Sequence, residues 1–253
     1  MRPRQSPGDL PLREGAAVEL QAESQMVADD DEQPETSDEI DKLRRRFKRN
    51  LRKAGAEGFL AGVAAMLRPG DLVLDCGANV GKVTQLLATT GARVLAYEPD
   101  PFAFSELSKS CTGLDNVTLN NVAVGVSEGS IRLMRASNFE ANPTGASVKS
   151  TIVGGGRMID EAEGINVKLI SFPDLVRKLS DEHGEIALVK MDIEGAELDI
   201  LEALESEGLL DPIRCMIVET HERKFKALRP RYRSLRERLA EGPHAGRIYL
   251  DWI

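Results

Sequence analysis

The chain has 253 residues, 42% of them apolar, and a formal net charge of −8. That is room for one large α/β domain with appendages, and no apolar run approaches the ~20 residues of a membrane helix. A secretory h-region is also missing, and Cys76, Cys111 and Cys215 are odd in number and far apart, so a soluble, cytoplasmic protein with reduced thiols is expected.

Charge divides the chain into three parts. Residues 1–40 carry three basic and eleven acidic side chains and no aromatic residue. Such a segment buries too little apolar surface to offset its ordering entropy, which predicts a disordered acidic tail. Residues 41–53 reverse the balance, with eight basic side chains and one acidic. Leu43, Phe47 and Leu51 recur there at i, i+4 and i+8, the pattern of a basic amphipathic helix with a narrow apolar stripe. Two readings stand for it: a helix docked on the domain with a solvated basic face, or a lid or patch for an anionic partner or membrane surface. The remainder, residues 54–253, holds 22 basic and 29 acidic side chains. An acidic body argues against bulk binding of nucleic acid, which draws on clustered positive charge.

Within residues 54–253 the expected elements alternate. A helix from Glu57 to Leu67 ends at Pro69-Gly70. Leu72 to Cys76 is a short buried strand, Gly77-Ala78-Asn79-Val80-Gly81 a glycine-rich turn, and Val80 to Thr90 the crossover helix. The second strand, Val94 to Tyr97, ends at Glu98-Pro99, and Asp100-Pro101 has the form of an N-cap with proline at the first helical position. A third strand is expected from Val117 to Val124, an extra strand at Ile131–Met134, and a long glycine-containing loop over 137–163. Strands follow at 167–170, 186–192, 213–219 and 247–252, with helices near 173–180, 196–207 and 225–240. This alternation predicts an α/β fold, Rossmann-like, with a mostly parallel sheet and helices on both faces. Ligands of such sheets bind at the carboxyl ends of the strands, where Asp75, Glu98, Asp192 and Glu219 gather. Four acids at one edge are hard to explain by burial alone.

The turn itself discriminates among cofactors. A dinucleotide needs Gly-x-Gly-x-x-Gly so that the backbone can approach a pyrophosphate. Here the order is Gly77-x-Asn79-x-Gly81, and Asp75 would repel a second negative charge. A cofactor with an ammonium, a carboxylate and no phosphate suits the turn better: Asp75 attracts the ammonium, and Glu98, 17 positions beyond Gly81, accepts from the ribose hydroxyls. Those features describe S-adenosylmethionine.

Three blocks, Asp75-Cys76-Gly77-Ala78-Asn79-Val80-Gly81, Tyr97-Glu98-Pro99 and Lys190-Met191-Asp192-Ile193-Glu194-Gly195-Ala196-Glu197, together resemble the signature of FkbM-type class I methyltransferases. The resemblance spans about residues 70–221 and implies methyl transfer, usually to a hydroxyl oxygen of a sugar, glycoconjugate or natural product. It places Gly77, Asn79 and Gly81 around the methionine part of the cofactor, Glu98 on the ribose beside Pro99, and Asn121 at the adenine. The chain departs from the usual class I sheet in offering one strand after the fifth rather than two. Either the sheet is short by a final strand or a second copy supplies that edge, and an exposed edge offers a pairing surface for a homodimer.

Methyl transfer to a hydroxyl requires alignment and removal of a proton. His221 is the first candidate for general base, with a capping histidine beside Glu219 as the bland reading. Asp192 serves the cofactor or the substrate. Asp192 and Glu219 also offer carboxylates to Mg²⁺, but two acids without a clear third ligand are a weak signal, and metal binding stays open as the lesser reading. Glu194 reads as a helix-end acid and Glu197 as an ordinary first-turn acid. Two other classes stay in view: a nicotinamide-dependent oxidoreductase, disfavoured by Asn79, and a non-catalytic partner-binding protein that keeps the fold.

Overall fold

The computed structural model describes residues 37–136, 151 and 159–252. Residues 1–36 of the predicted tail and most of the 137–163 loop lie outside them, while Ser37 to Ile40, expected to belong to that tail, are helical. The chain divides into two compact units, Met1–Arg46 and Phe47–Ile253. The described part of the first unit is the opening of a helix, with Asp38 and Glu39 in its first turn favourably placed against the helix dipole.

That helix, α1 (Ser37–Met66), is one element of 30 residues rather than the two expected. Gly55, Gly58 and Gly62 lie inside it with open space around them, so they weaken the helix without breaking it. In the second unit Ala56, Leu60 and Ala64, spaced at four, are buried against the sheet, while Phe47 and Leu51 are 68% and 62% exposed. The apolar stripe of the basic segment is therefore open in the described residues, contrary to the docked reading.

The main sheet is built from β1 (Leu72–Cys76), β2 (Arg93–Tyr97), β3 (Val117–Asn120), β7 (Leu188–Met191), β8 (Met216–Val218) and β9 (Ile248–Tyr249). Its order is β3-β2-β1-β7-β8-β9, and every neighbouring pair is parallel. The expected α/β architecture with helices on both faces is present. Strand direction never reverses within this sheet, and its last strand has only two residues. The predicted third strand breaks at Asn121-Val122. Its second half, β4 (Ala123–Gly125), joins β5 (Gly129–Ala136) and β6 (Ile159–Ser171) in a separate sheet of order β4-β6-β5.

Alternation along the central strands divides the core. Leu72, Leu74, Cys76, Val189, Met191, Met216 and Val218 pack on one face, while Val73, Leu188 and Ile217 face the other. The first face is covered by α4 (Phe172–His183), α5 (Glu197–Ser206) and α6 (Arg229–Glu241). The second is covered by α1 and α2 (Lys82–Ala88), through Ala56, Leu60 and Leu87. Trp252, the only tryptophan, lies on that second face, and its Nε1 donates to the Ala56 carbonyl at 3.3 Å. The remaining helix, α3 (Pro101–Ser110), opens as the sequence predicts: Asp100 caps it, accepting from the amides of Phe102 and Ala103, with Pro101 in its first turn. No described helix is long and apolar enough to cross a membrane.

Candidate active site

The chain runs β1, β2, β3 in one direction and then crosses to β7 on the other side of β1. The switch point between β1 and β7 is where an open parallel sheet leaves its crevice. Gly77 and Asp192 face each other across it, the Asp192 amide donating to the Cys76 carbonyl at 3.0 Å.

The turn after β1 is shaped by three residues with positive φ: Gly77 (78°), Asn79 (48°) and Gly81 (90°). Asparagine tolerates the left-handed region better than other side chains, and the Asn79 Oδ1 accepts from the Val80 amide at 2.8 Å. The Asn79 amide donates to Glu98 Oε2 at 2.9 Å, and the Asp100 amide to Glu98 Oε1 at 2.8 Å. Glu98 thus ties the turn to the end of β2, as their sequence coupling predicts. Burial pushes its carboxyl up to about 7 despite those two amides, and each oxygen, holding one amide, has room to accept a further donor. A ribose diol would supply these donors, and the turn and Glu98 together fit S-adenosylmethionine. Asn121 is differently engaged: its Nδ2 donates to the carbonyls of Glu98 and Pro99 at 2.8 and 3.2 Å, bracing the chain after β2.

Asp75 does not play the part expected of it. It is fully buried inside β1, its Oδ2 accepts from Thr84 at 2.6 Å, and its Oδ1 lies 3.2 Å from Lys190 Nζ. Its charge is balanced within the protein, so it is not available to attract a cofactor ammonium. Lys190, its register partner on β7, has no role in the sequence reading. Its Nζ donates to the carbonyls of Gly77 at 2.7 Å and Cys76 at 3.4 Å and lies 5.5 Å from the Trp252 ring centroid. Two of the three ammonium protons serve those carbonyls, and the 3.2 Å contact with Asp75 is an ion pair without hydrogen-bond alignment, so Asp75 Oδ1 has no hydrogen-bond partner. Burial is the largest influence and works against the ammonium, but the charges of Asp75 and Asp192 together with the close Asp75 contact outweigh it and raise the Lys190 pKa. A lone lysine in an otherwise apolar strand was the available signal, since a buried charge must be paired.

Asp192, Glu219 and His221, expected to act together, are brought together. One ligand atom from each lies within 4.8 Å of the others, a set able to hold a divalent cation. The metal expectation lacked a third ligand, and His221 occupies that position. Its ring is already engaged, however: Nδ1 lies 3.0 Å from Glu197 Oε1 and Nε2 3.3 Å from Glu194 Oε2. Burial alone would depress the imidazole pKa, but the hydrogen bonds and charges of Glu194 and Glu197 lift it to about 11. With both ring nitrogens facing carboxylates, the arrangement favours the protonated imidazolium and fits an electrostatic role better than the expected proton acceptance. Glu194, also bonded by Lys224 Nζ at 2.9 Å, is held below the usual carboxylate range by these cations despite its burial. Asp192 and Glu219 are shifted upward, first by burial and then by the carboxylates around them.

Glu197 is likewise not an ordinary first-turn acid. It is completely buried, and its Oε1 accepts from the amides of Ile193 (3.0 Å) and Gly195 (3.1 Å) as well as facing His221. One carboxylate closes the β7–α5 turn and orients the histidine. A cavity of about 330 Å³ opens beside this cluster, lined by His221 and Glu219 together with Arg49, Arg52 and Arg223.

The sequence profile of the methyltransferase FkbM domain matches residues 75–246. Methyltransferase sdnD of Sordaria araneosa is 27% identical over 201 residues, 68% of this chain and 74% of that protein. The 31-O-demethyl-FK506 methyltransferase FkbM of Streptomyces tacrolimicus is 30% identical over 187 residues, covering 62% of this chain and 67% of its own length. The ribosomal RNA small subunit methyltransferase A of Thermotoga maritima is 39% identical over 93 residues, 35% of this chain, and the match spans only 32% of that protein.

Proposed function

Because the chain belongs to the FkbM methyltransferase domain family, we propose that it transfers a methyl group from S-adenosylmethionine to a hydroxyl oxygen of a sugar, glycoconjugate or natural product. The choice of oxygen draws on the Streptomyces relative, whose name specifies a 31-O-demethyl substrate. The observation that carries the mechanism is the convergence of Asp192, Glu219 and His221 at the switch point, beside an open cavity.

Glu98 and the Gly77–Gly81 turn would hold the cofactor. S-adenosylmethionine would supply an activated methyl, its S–C bond breaking as the acceptor oxygen forms the new C–O bond and the electron pair passing to sulfur. The acceptor's proton passes to the Asp192–Glu219 pair, whose raised pKa values bring it toward the operating pH, as a general base requires. His221, kept charged and fixed by Glu197 and Glu194, stabilises the ionised form of the pair. Lys190 holds the Gly77 carbonyl and so positions the turn.

The pH dependence follows from these shifts. With one proton on the Asp192–Glu219 pair the base is blocked, so kcat/KM rises with pH as that proton leaves, around 8 for Glu219. It falls again as His221 deprotonates near 11. Such values belong to the pair rather than to either residue. The Glu219→Gln variant should lose roughly 10²-fold or more in turnover and its alkaline-rising limb, with S-adenosylhomocysteine affinity retained by calorimetry. An unchanged rising limb in that variant removes Glu219 from the base.

A further inference from the structure

The cavity beside His221 has an unbalanced charge lining. Two of its acids are already matched: Arg236 lies 3.3 Å from Glu222 and 2.9 Å from Asp251. Lys224 is matched to Glu194 at 2.9 Å, and Glu219 lies 3.9 Å from His221. Arg49 and Arg52 of α1 and Arg223 after β8 also line the cavity, and among the described residues none of them has a carboxylate within ion-pair distance. Arg52 Nε donates to the Lys48 carbonyl of its own helix, at 3.4 Å. Arginines on other surfaces of the unit are treated differently: Arg177, Arg214, Arg231 and Arg238 each contact a carboxylate.

Three guanidinium groups around one concave volume attract an anion, and the planar fork of arginine matches the oxygens of a phosphate better than a lysine would. A volume of about 330 Å³ is at the lower end of small-molecule sites, about 300–1,000 Å³, and suits a sugar-sized acceptor. We propose that the methyl acceptor carries a phosphate-like anionic group, which Arg49, Arg52 and Arg223 hold while its hydroxyl is presented at Asp192 and Glu219. The second half of this statement rests on the methyltransferase reading above; anion binding in the cavity does not. It also gives the basic half of α1 a task, since Arg49 and Arg52 supply acceptor recognition from outside the sheet.

The test is calorimetric titration of the full chain with inorganic phosphate and, separately, with S-adenosylhomocysteine. Three proteins are compared: wild type, R49Q/R52Q/R223Q, and a control, R45Q/R46Q, whose residues do not line the cavity. All the substituted side chains are on the surface, so folding is retained and is checked by circular dichroism. Wild type and control should bind phosphate equally, the triple variant roughly ten-fold more weakly or worse, and S-adenosylhomocysteine affinity should be the same in all three. Phosphate binding that is absent from wild type, or unchanged in the triple variant, overturns the proposal. So does a single-stranded RNA oligonucleotide that binds far more tightly than phosphate and is weakened equally by both variants, because the ligand would then be a nucleic-acid backbone spread along α1. Loss of S-adenosylhomocysteine binding in every protein, with phosphate binding intact, defeats the cofactor reading and leaves the anion site standing.

Discussion

Gly77→Ala should be the most damaging single substitution in the turn. A Cβ at position 77 would lie 1.7 Å from the Asp192 carbonyl oxygen and 2.8 Å from its carbon. Both atoms are backbone, so no side chain can rotate away, and relief requires β1 and β7 to separate. That separation loses the hydrogen bond from the Asp192 amide to Cys76 and the grip of Lys190 on the Gly77 carbonyl. The positive φ of 78° adds about 1–3 kcal/mol of strain, and overpacking about as much again. Together these predict a loss of about 3–5 kcal/mol and a melting temperature lower by about 10 °C or more for a domain of this size. Gly184→Ala is the matched control. Its φ is 82° with nothing within 4 Å of the added Cβ, so it carries the strain without the overlap and should cost about 1–3 kcal/mol. Equal melting temperatures for the two variants would show that the close approach at the switch point is not there.

Glu197→Gln separates the structural and electrostatic duties of the buried acid. Glutamine keeps an acceptor for the amides of Ile193 and Gly195 and for His221. Its amide nitrogen takes the place of Oε2, which is buried without a partner, at a cost of about 1–3 kcal/mol. The negative charge is lost, so the His221 pKa drops from about 11. In the native protein this pKa is raised above the unfolded value. The stability it contributes is therefore fully present below about 6.5 and disappears as pH climbs toward 11. The gap in stability between native and variant should accordingly be widest at acidic to neutral pH and narrow on the alkaline side. Turnover should fall roughly 10–100-fold because the imidazolium is less well fixed and less often charged, while S-adenosylhomocysteine affinity changes little. Glu197→Ala, which leaves two buried amides unpaired as well, should be the less stable by about 2–4 kcal/mol more. A Glu197→Gln protein with native turnover and a native pH–stability curve would return Glu197 to a purely structural role.

Much of this was readable from local pattern. The strand–turn–helix at Leu72 to Ala88, the Asp100 cap and the acids at strand ends each follow from short-range rules of burial, turn chemistry and capping. What escaped depends on contacts between distant segments. Asp75 looks like a ligand until the crossover places Lys190 beside it, 115 positions later in the chain. Glu197 passes for a dipole-favoured surface acid, yet it is four residues before Leu201, which faces the core, so helical spacing already turned it inward. The change of charge pattern after Lys53 suggested two N-terminal helices, but one helix runs through it, and its internal glycines cost about 1 kcal/mol each without ending it. The strand ends reveal that His221 meets the acids, whereas its protonation depends on how four carboxylates are arranged around one ring.

The position of Trp252 gives the protein an intrinsic optical reporter. The sole indole is 4% exposed, anchored to the Ala56 carbonyl of α1 and close to the ammonium that braces the glycine turn. Its fluorescence should be blue-shifted while the chain's last residues stay docked and should move to longer wavelength when they detach. Release of this end from α1 can therefore be followed by emission alone, with no label, and compared with the loss of far-ultraviolet ellipticity from the sheet and helices. A red shift preceding the loss of ellipticity would mark the junction of α1 with the C-terminal residues as the first part of the unit to open.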